Sequence, residues 1–186
     1  MIRLVIPAFN EGRALESLLP RLPATIAGHE VVPLVVSDGS TDDTVEVTTG
    51  AGVEVIALTP NRGKGAAVRA ALARIEPLAW DIAVLMDADG QHDPSDLEEL
   101  VAPLTDGETD IVVGSRYADD ERRGSTPFNR YVVRWTTVAV LQRILGTRYT
   151  DPYCGFRAFT REALERVEFC GDRYEGELEV LFDARR

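Results

Sequence analysis

The chain has 186 residues, 45% hydrophobic and 27% charged, which suits one soluble globular domain with a sizeable core. Its formal net charge of −11 argues against nonspecific binding to nucleic acid. Two cysteines, Cys154 and Cys170, are too few for a disulfide framework or a C-x-x-C metal site and suit reduced thiols in a cytosolic protein.

Strand and helix patterns alternate from the first residue. Residues 3–7 form an apolar run of strand length, too short for the apolar region of a secretory signal. A helix is expected from about Glu11, with Leu15, Leu18, Leu19 and Leu22 on one face and Pro20 kinking or ending it. A second strand is expected over 34–37, with Pro33 at its start, where a missing N–H is tolerated. Ser40 or Thr41 can cap a short helix through about Thr49. Residues 53–58 alternate as a third strand, and 63–75 form an alanine-rich helix. The unbroken apolar run 82–86 suits a strand buried on both faces at the centre of a parallel sheet. Asp93-Pro94 then begins a helix to about Leu104, and 110–114 makes a fifth strand.

Five strands separated by helices of about ten residues imply the α/β class, with a doubly wound, mostly parallel sheet. Residues 116–127 are charged and glycine-containing, as a loop would be. Residues 132–145 form a helix with much apolar surface, flanked by Arg130, Arg134, Arg143 and Arg148; it either packs on the core or lays a basic, apolar face on a membrane. No segment approaches the roughly 18 apolar residues that a bilayer-spanning helix needs.

Polar clusters follow each strand, where the crevice at the carboxyl edge of an open α/β sheet would collect them. They are Pro7-Ala8-Phe9-Asn10-Glu11, Asp38-Gly39-Ser40-Thr41-Asp42-Asp43, Asn61-Arg62-Gly63-Lys64-Gly65, Asp87-Ala88-Asp89-Gly90-Gln91 and Ser115-Arg116-Tyr117. Singly each reads as turn chemistry; five in register at one edge imply a site. The fourth carries most: Asp87 and Asp89 can offer oxygens to one hard divalent cation, with Gln91 adding a neutral oxygen. Such an ion would neutralise a diphosphate and stabilise it as a leaving group. Asp38 makes sense as an acceptor for a base or ribose, or as the first residue of an Asx-turn. Of the 20 basic residues only Lys64 is lysine, the other 19 being arginine.

In order and spacing these motifs resemble those of family 2 glycosyltransferases of the GT-A fold, a Rossmann-like nucleotide-sugar-binding architecture. They are most similar to the polyprenol-phosphate (dolichol-phosphate) mannosyl- or glucosyltransferase branch. The segment Asp151-Pro152-Tyr153-Cys154-Gly155-Phe156-Arg157-Ala158-Phe159 resembles that branch's D-x-x-S/C-G-F-R stretch. The resemblance implies one catalytic domain over 1–186, with a nucleotide-binding half at 1–115 and an acceptor-side half at 116–186. Pro7, Phe9, Glu11, Val36 and Asp38 would line the base and ribose, Phe9 standing where tyrosine is usual. Lys64, Asp87 and Ala88 would lie along the donor. Asp87, Asp89 and Gln91 would hold Mg²⁺ or Mn²⁺, and Asp89, Arg116 and Arg157 would serve catalysis, the arginines by meeting phosphates. His92 would act behind these residues or simply cap and face solvent, and His29 carries no signal.

The implied reaction is inverting transfer of a hexose from UDP- or GDP-hexose to an acceptor, with a polyprenyl phosphate favoured because its oxygen is already anionic and needs no general base. A hydroxyl acceptor would need one, and Asp151, Glu175 and Glu177 are the candidates. A lipid acceptor would bring the protein to the cytoplasmic face of a membrane as a peripheral visitor. Relatives of that branch continue beyond the point matching Arg186, so the acceptor-side half reads as short, and a non-catalytic nucleotide-sugar-binding remnant is the alternative. A nucleotidyltransferase would open on a glycine-rich basic loop, and a dinucleotide-dependent oxidoreductase on G-x-G-x-x-G; the stretch after the first strand has neither.

Overall fold

A computed structural model describes residues 1–115, Val138, Arg143 and residues 150–167. Strands β1 (Ile2–Ala8), β3 (His29–Asp38), β4 (Glu54–Leu58) and β5 (Ile82–Leu85) run parallel in the order β4-β3-β1-β5. Beyond β5 the sheet continues with β7 (Arg157–Thr160) and then β6 (Ile111–Val113). Strand β7 is antiparallel to both its neighbours. A two-residue ribbon, β2 (Thr25–Ile26), pairs with the first residues of β3.

Strands β1 and β5 are buried on both faces, which explains their unbroken apolar sequence. Ile2, Leu4 and Ile6 of β1 with Ile82, Val84 and Met86 join Leu15, Leu97, Leu100 and Val101 in one layer, under α1 (Gly12–Leu18) and α4 (Leu97–Thr105). The alternate residues Val5, Ala83 and Leu85 join Val36, Ala67, Ala71 and Ile75 in the other layer, under α3 (Lys64–Ile75). Helix α2 (Thr44–Gly50) packs on α1. The short α5 (Arg161–Leu164) follows β7, and Arg161 fastens this corner by donating to the carbonyls of Leu78 and Glu76 at 3.1 and 3.0 Å.

Departures from the sequence reading have local causes. Strand β3 begins at His29, so Pro33 lies inside it, opposite Leu4. The Val31 N–H points away from β1, to the Ala24 carbonyl at 2.9 Å. The two-residue period puts the Pro33 nitrogen on that same flank, between the start of β2 and the start of β4, where no ladder bond is lost. Helix α1 passes into a 3-10 turn at Leu19–Arg21, where Pro20 was expected to interrupt it. Ser40 and Thr41 do not cap α2; its N-cap is Asp43, which makes no side-chain cap bond, and the preceding Asp42 accepts from the Thr44 N–H at 3.1 Å. A 3-10 turn, Pro94–Asp96, precedes α4, and Asp93 caps it through the Ser95 N–H at 2.9 Å. The expected fifth strand is β6, but β7 separates it from β5. Of the helix expected over 132–145 only Val138 and Arg143 are described, both helical; the loop expected over 116–127 lies outside the described residues.

Phe159 is fully buried in the second layer, at the β7 position paired with Ala83 and Ile111. Phe159→Ala should cost about 3–5 kcal/mol, read as a lower urea midpoint with an unchanged m-value.

Candidate functional site: a carboxylate-lined cleft at the ends of β1, β3 and β5

The loop after β1 is clasped to the loop after β3. Asn10 sits at φ 57°, a conformation that asparagine tolerates. Its N–H donates to Ser40 Oγ at 3.0 Å, and its Oδ1 accepts from the Thr41 N–H at 2.8 Å. One residue on, the Glu11 N–H donates to Thr44 Oγ1 at 3.0 Å and the Gly12 N–H to Asp42 Oδ2 at 3.1 Å. Ser40 and Thr41 are thus spent across the crevice rather than at their own helix. Burial raises the Asp42 pKa, but the Thr44 hydroxyl and the N–H groups of Gly12 and Thr44 outweigh it and hold the carboxyl below its ordinary value.

Asp38, 4% exposed at the end of β3, reaches neither a local Asx-turn nor empty space. Its two oxygens accept from the Arg62 N–H at 2.8 Å and the Gly63 N–H at 2.7 Å, bracing the turn that launches α3. Gly39 permits this approach: at φ +73°, a Cβ there would lie 2.5 Å from the Asn61 nitrogen. The braced turn delivers Lys64, whose ammonium meets Asp87 Oδ1 at 2.6 Å.

These loops enclose a cleft of about 490 Å³ lined by Pro7, Ala8, Phe9, Glu11, Asp38, Asn61, Gly63, Lys64, Ala67, Asp87, Ala88 and Asp89. Phe9 is 49% exposed, an apolar ring held at the cleft wall where a planar base could stack. Burial first, then the fields of Asp89 and Asp42, push the Glu11 pKa above the ordinary glutamate value. The acidic neighbours thus add to a rise that burial leads. Among the described residues no three histidine, cysteine or acidic side chains form a protein-only metal cage. Asp87 and Asp89, two carboxylates on one turn, could still offer oxygens to a hard divalent ion. Asp89 Oδ1 accepts from the Gln91 N–H at 3.0 Å, which fixes the turn.

Not every expected residue gathers here. Val36 is fully buried in the second core layer, because the alternation of β3 turns it under α3. Gln91 is exposed and outside the cleft lining. Arg157 is 2% exposed; its Nε donates to the Cys154 carbonyl and an Nη to the Pro152 carbonyl, each at 2.8 Å. It therefore shapes the 151–157 segment from within. Asp151 is also buried, and His92, far from capping or facing solvent, is buried and stacked on Phe156 with ring centroids 4.9 Å apart. His29 is paired with Asp81, 3.6 Å away. Arg116, Glu175 and Glu177 lie outside the described residues. Some contributors were given no role of their own: Ala8, Asn61 and Gly63, named only within their motifs, Ala67 on the first turns of α3, and Gly155, whose backbone lies against Asp87 and Lys64.

The parallel sheet, the antiparallel strand inserted beside its centre and the acidic cleft at the carboxyl edge define an α/β protein of the GT-A glycosyltransferase fold. The chain belongs to glycosyl transferase family 2, whose sequence profile matches residues 4–168. It is 30% identical over 192 residues to the dolichol-phosphate mannosyltransferase of Pyrococcus furiosus, covering 99% of this chain and 53% of that protein. It is also 30% identical over 206 residues to the UDP-N-acetylglucosamine–dolichyl-phosphate N-acetylglucosaminyltransferase of Methanococcus voltae, covering 100% of this chain and 80% of that protein. Among solved structures, glucosyl-3-phosphoglycerate synthase from Mycobacterium tuberculosis in complex with Mn²⁺ and UDP-glucose matches with a TM-score of 0.77 at 29% identity, over 98% of this chain and 64% of that one. The chain spans about half of the Pyrococcus protein and under two thirds of the mycobacterial one.

Two stability experiments follow from this geometry. Asp38→Ala strips two backbone donors of a charged acceptor and should cost roughly 2–3 kcal/mol, with faster amide exchange at Arg62 and Gly63 as the local readout. Asp93, held to about 2 by the Ser95 N–H and hydroxyl and then by Arg21, binds its proton less readily when folded. Its stabilisation is therefore complete above the unfolded carboxyl value of about 3.9 and lost as pH falls toward 2. Asp93→Asn should flatten that part of the acid-denaturation curve while leaving its shape near neutrality unchanged.

Proposed function

We propose that the chain is the catalytic domain of a metal-dependent, inverting glycosyltransferase that moves a hexose from a nucleoside diphosphate sugar to a polyprenyl phosphate. The observation that carries this reading is the cleft itself, where an exposed aromatic wall meets the turn bearing Asp87 and Asp89. Supporting it are the names of the curated relatives, which act on dolichyl phosphates, and the Mn²⁺ and UDP-glucose in the similar structure. In this reading residues 1–115 bind the donor and residues 116–186 supply the acceptor side.

Pro7, Phe9 and Glu11 would receive the base and ribose, with Asp38 holding the wall opposite. Asp89 and Asp87 would hold Mg²⁺ or Mn²⁺. When bound, that ion supplies the charge neutralisation that lets the nucleoside diphosphate leave. Lys64 lies on the same side of the cleft, where its ammonium adds positive charge beside the diphosphate. A lipid phosphate would attack with an oxygen already ionised, so no residue has to take a proton, and the buried position of Asp151 suits that economy. Arg116 is assigned to the acceptor or leaving phosphate. Arg157 is assigned to the shape of the 151–157 segment, because it is buried and its Nε and one Nη serve backbone carbonyls. Among the described residues no helix is long and apolar enough to cross a membrane, so contact with a lipid acceptor would be peripheral through them.

A second reading, transfer to a hydroxyl of a small phosphorylated acid, is favoured by the match to glucosyl-3-phosphoglycerate synthase, a structure of which holds phosphoglyceric acid. Calorimetry with UDP, GDP and their hexose conjugates, with and without Mn²⁺, tests the donor site. Binding of one diphosphate that requires Mn²⁺ and falls by 10-fold or more in Asp89→Ala is expected; no binding of either nucleotide would remove the transferase reading. Radiolabelled hexose transfer to a short polyprenyl phosphate, set against phosphoglycerate, then separates the two acceptors.

A further inference from the structure

We propose that Gly155 is a positioning residue for Asp87: its bare Cα is the seat on which Lys64 and Asp87 pair, so that the 151–157 segment sets the direction of a carboxylate on the donor-site turn. The inference deepens the function proposed above and rests on it for the role of Asp87. A Cβ at Gly155 would lie 2.4 Å from Asp87 Oδ2 and 2.6 Å from Lys64 Nζ. Gly155 is not at positive φ, so its lack of a side chain answers a need for space rather than for backbone conformation. The pair and the glycine come from three distant parts of the chain and meet at one point.

The segment that carries Gly155 is held firmly. Arg157 binds the carbonyls of Pro152 and Cys154 from inside. Phe156 stacks on His92, three residues past Asp89, and its carbonyl accepts from the Gly114 N–H at 2.8 Å. Phe156 and Gly155 thus bear on the two ends of the same turn. The identity of the cation fits the same constraint. Nineteen of the chain's 20 basic residues are arginine, yet the one that faces Asp87 beneath Gly155 is its only lysine. A compact ammonium fits where a planar guanidinium would need more width.

The atoms that a methyl at 155 would strike are the ends of two side chains, not backbone. Gly155→Ala should therefore fold and displace the pair. Lys64 being the only lysine, acetylation by an N-hydroxysuccinimide ester followed by peptide mass spectrometry reads the pair directly, with the α-amino group as internal reference. Expected results are slow labelling of Lys64 in the wild type, several-fold faster labelling in Gly155→Ala and in Asp87→Asn, and the wild-type rate in Gly50→Ala, where a Cβ meets nothing within 4 Å. Mn²⁺-dependent binding of UDP or GDP, whichever the wild type takes, should weaken about 10- to 100-fold in Gly155→Ala, the range for lost support of a metal ligand. Labelling of Gly155→Ala at the wild-type rate overturns the proposal. If Gly155→Ala melts lower, that loss should vanish in a Lys64→Ala/Asp87→Ala background, which removes both side chains that the methyl meets; a loss that persists there places the strain in the backbone and also overturns the proposal. A wild type that binds neither nucleotide removes the transferase reading instead, since the labelling contrast needs no nucleotide.

Discussion

Strand β5 is only four residues long, and its two neighbours determine what surrounds its carboxyl end. On one side β1 pairs in parallel, with Val5 opposite Leu85, so the loop carrying Phe9 and Glu11 emerges beside the turn carrying Asp87 and Asp89. On the other side β7 pairs in antiparallel, with Arg157 opposite Leu85. A parallel strand in that place would send its carboxyl end to the cleft. The antiparallel one brings its beginning, and with it the 151–157 segment whose Gly155 touches Asp87. Reversal of one strand is therefore what lets the second half of the chain reach the donor-site turn. Phe159, buried to the last atom beneath α5, anchors that reversal in the core.

How much of this could be read from the sequence follows from the range of the forces involved. Strands β1, β4 and β5 and helices α1, α3 and α4 emerge from hydrophobic period alone, because burial of each is decided within its own residues. Strand β7 does not: Arg157-Ala158-Phe159-Thr160 is four residues beginning with an arginine, and only its partners, dozens of residues away, make it a strand. Ribbon β2 is shorter still. Caps failed where a side chain served another loop, as Ser40 and Thr41 serve Asn10. At the cleft, the placing of four polar clusters was legible because each follows a strand that ends at the same sheet edge. Arg157 was not, because arginine after Gly-Phe reads equally as a phosphate ligand or a buried brace, and only the carbonyls of Pro152 and Cys154 decide. Val36 failed for a simpler reason: one residue of register separates the cleft from the core.

The electrostatics give the arrangement its direction. If it receives a diphosphate as proposed, a chain of net charge −11 must make the local potential more positive at one point while its overall sign stays negative. Within the cleft, Glu11, Asp38, Asp87 and Asp89 are gathered, and each is handled differently. Asp38 is spent on two backbone N–H groups, Asp87 is met by Lys64, Asp89 stays exposed on its turn, and Glu11 has its ionisation opposed by burial and by its acidic neighbours. In the proposed reading a divalent cation would be drawn by the negative field that Asp89 and Glu11 leave uncompensated and, once held, would make a diphosphate tolerable beside it. In that reading the cation and the diphosphate would favour each other's binding, because each screens the charge that opposes the other, which is the behaviour a donor site needs.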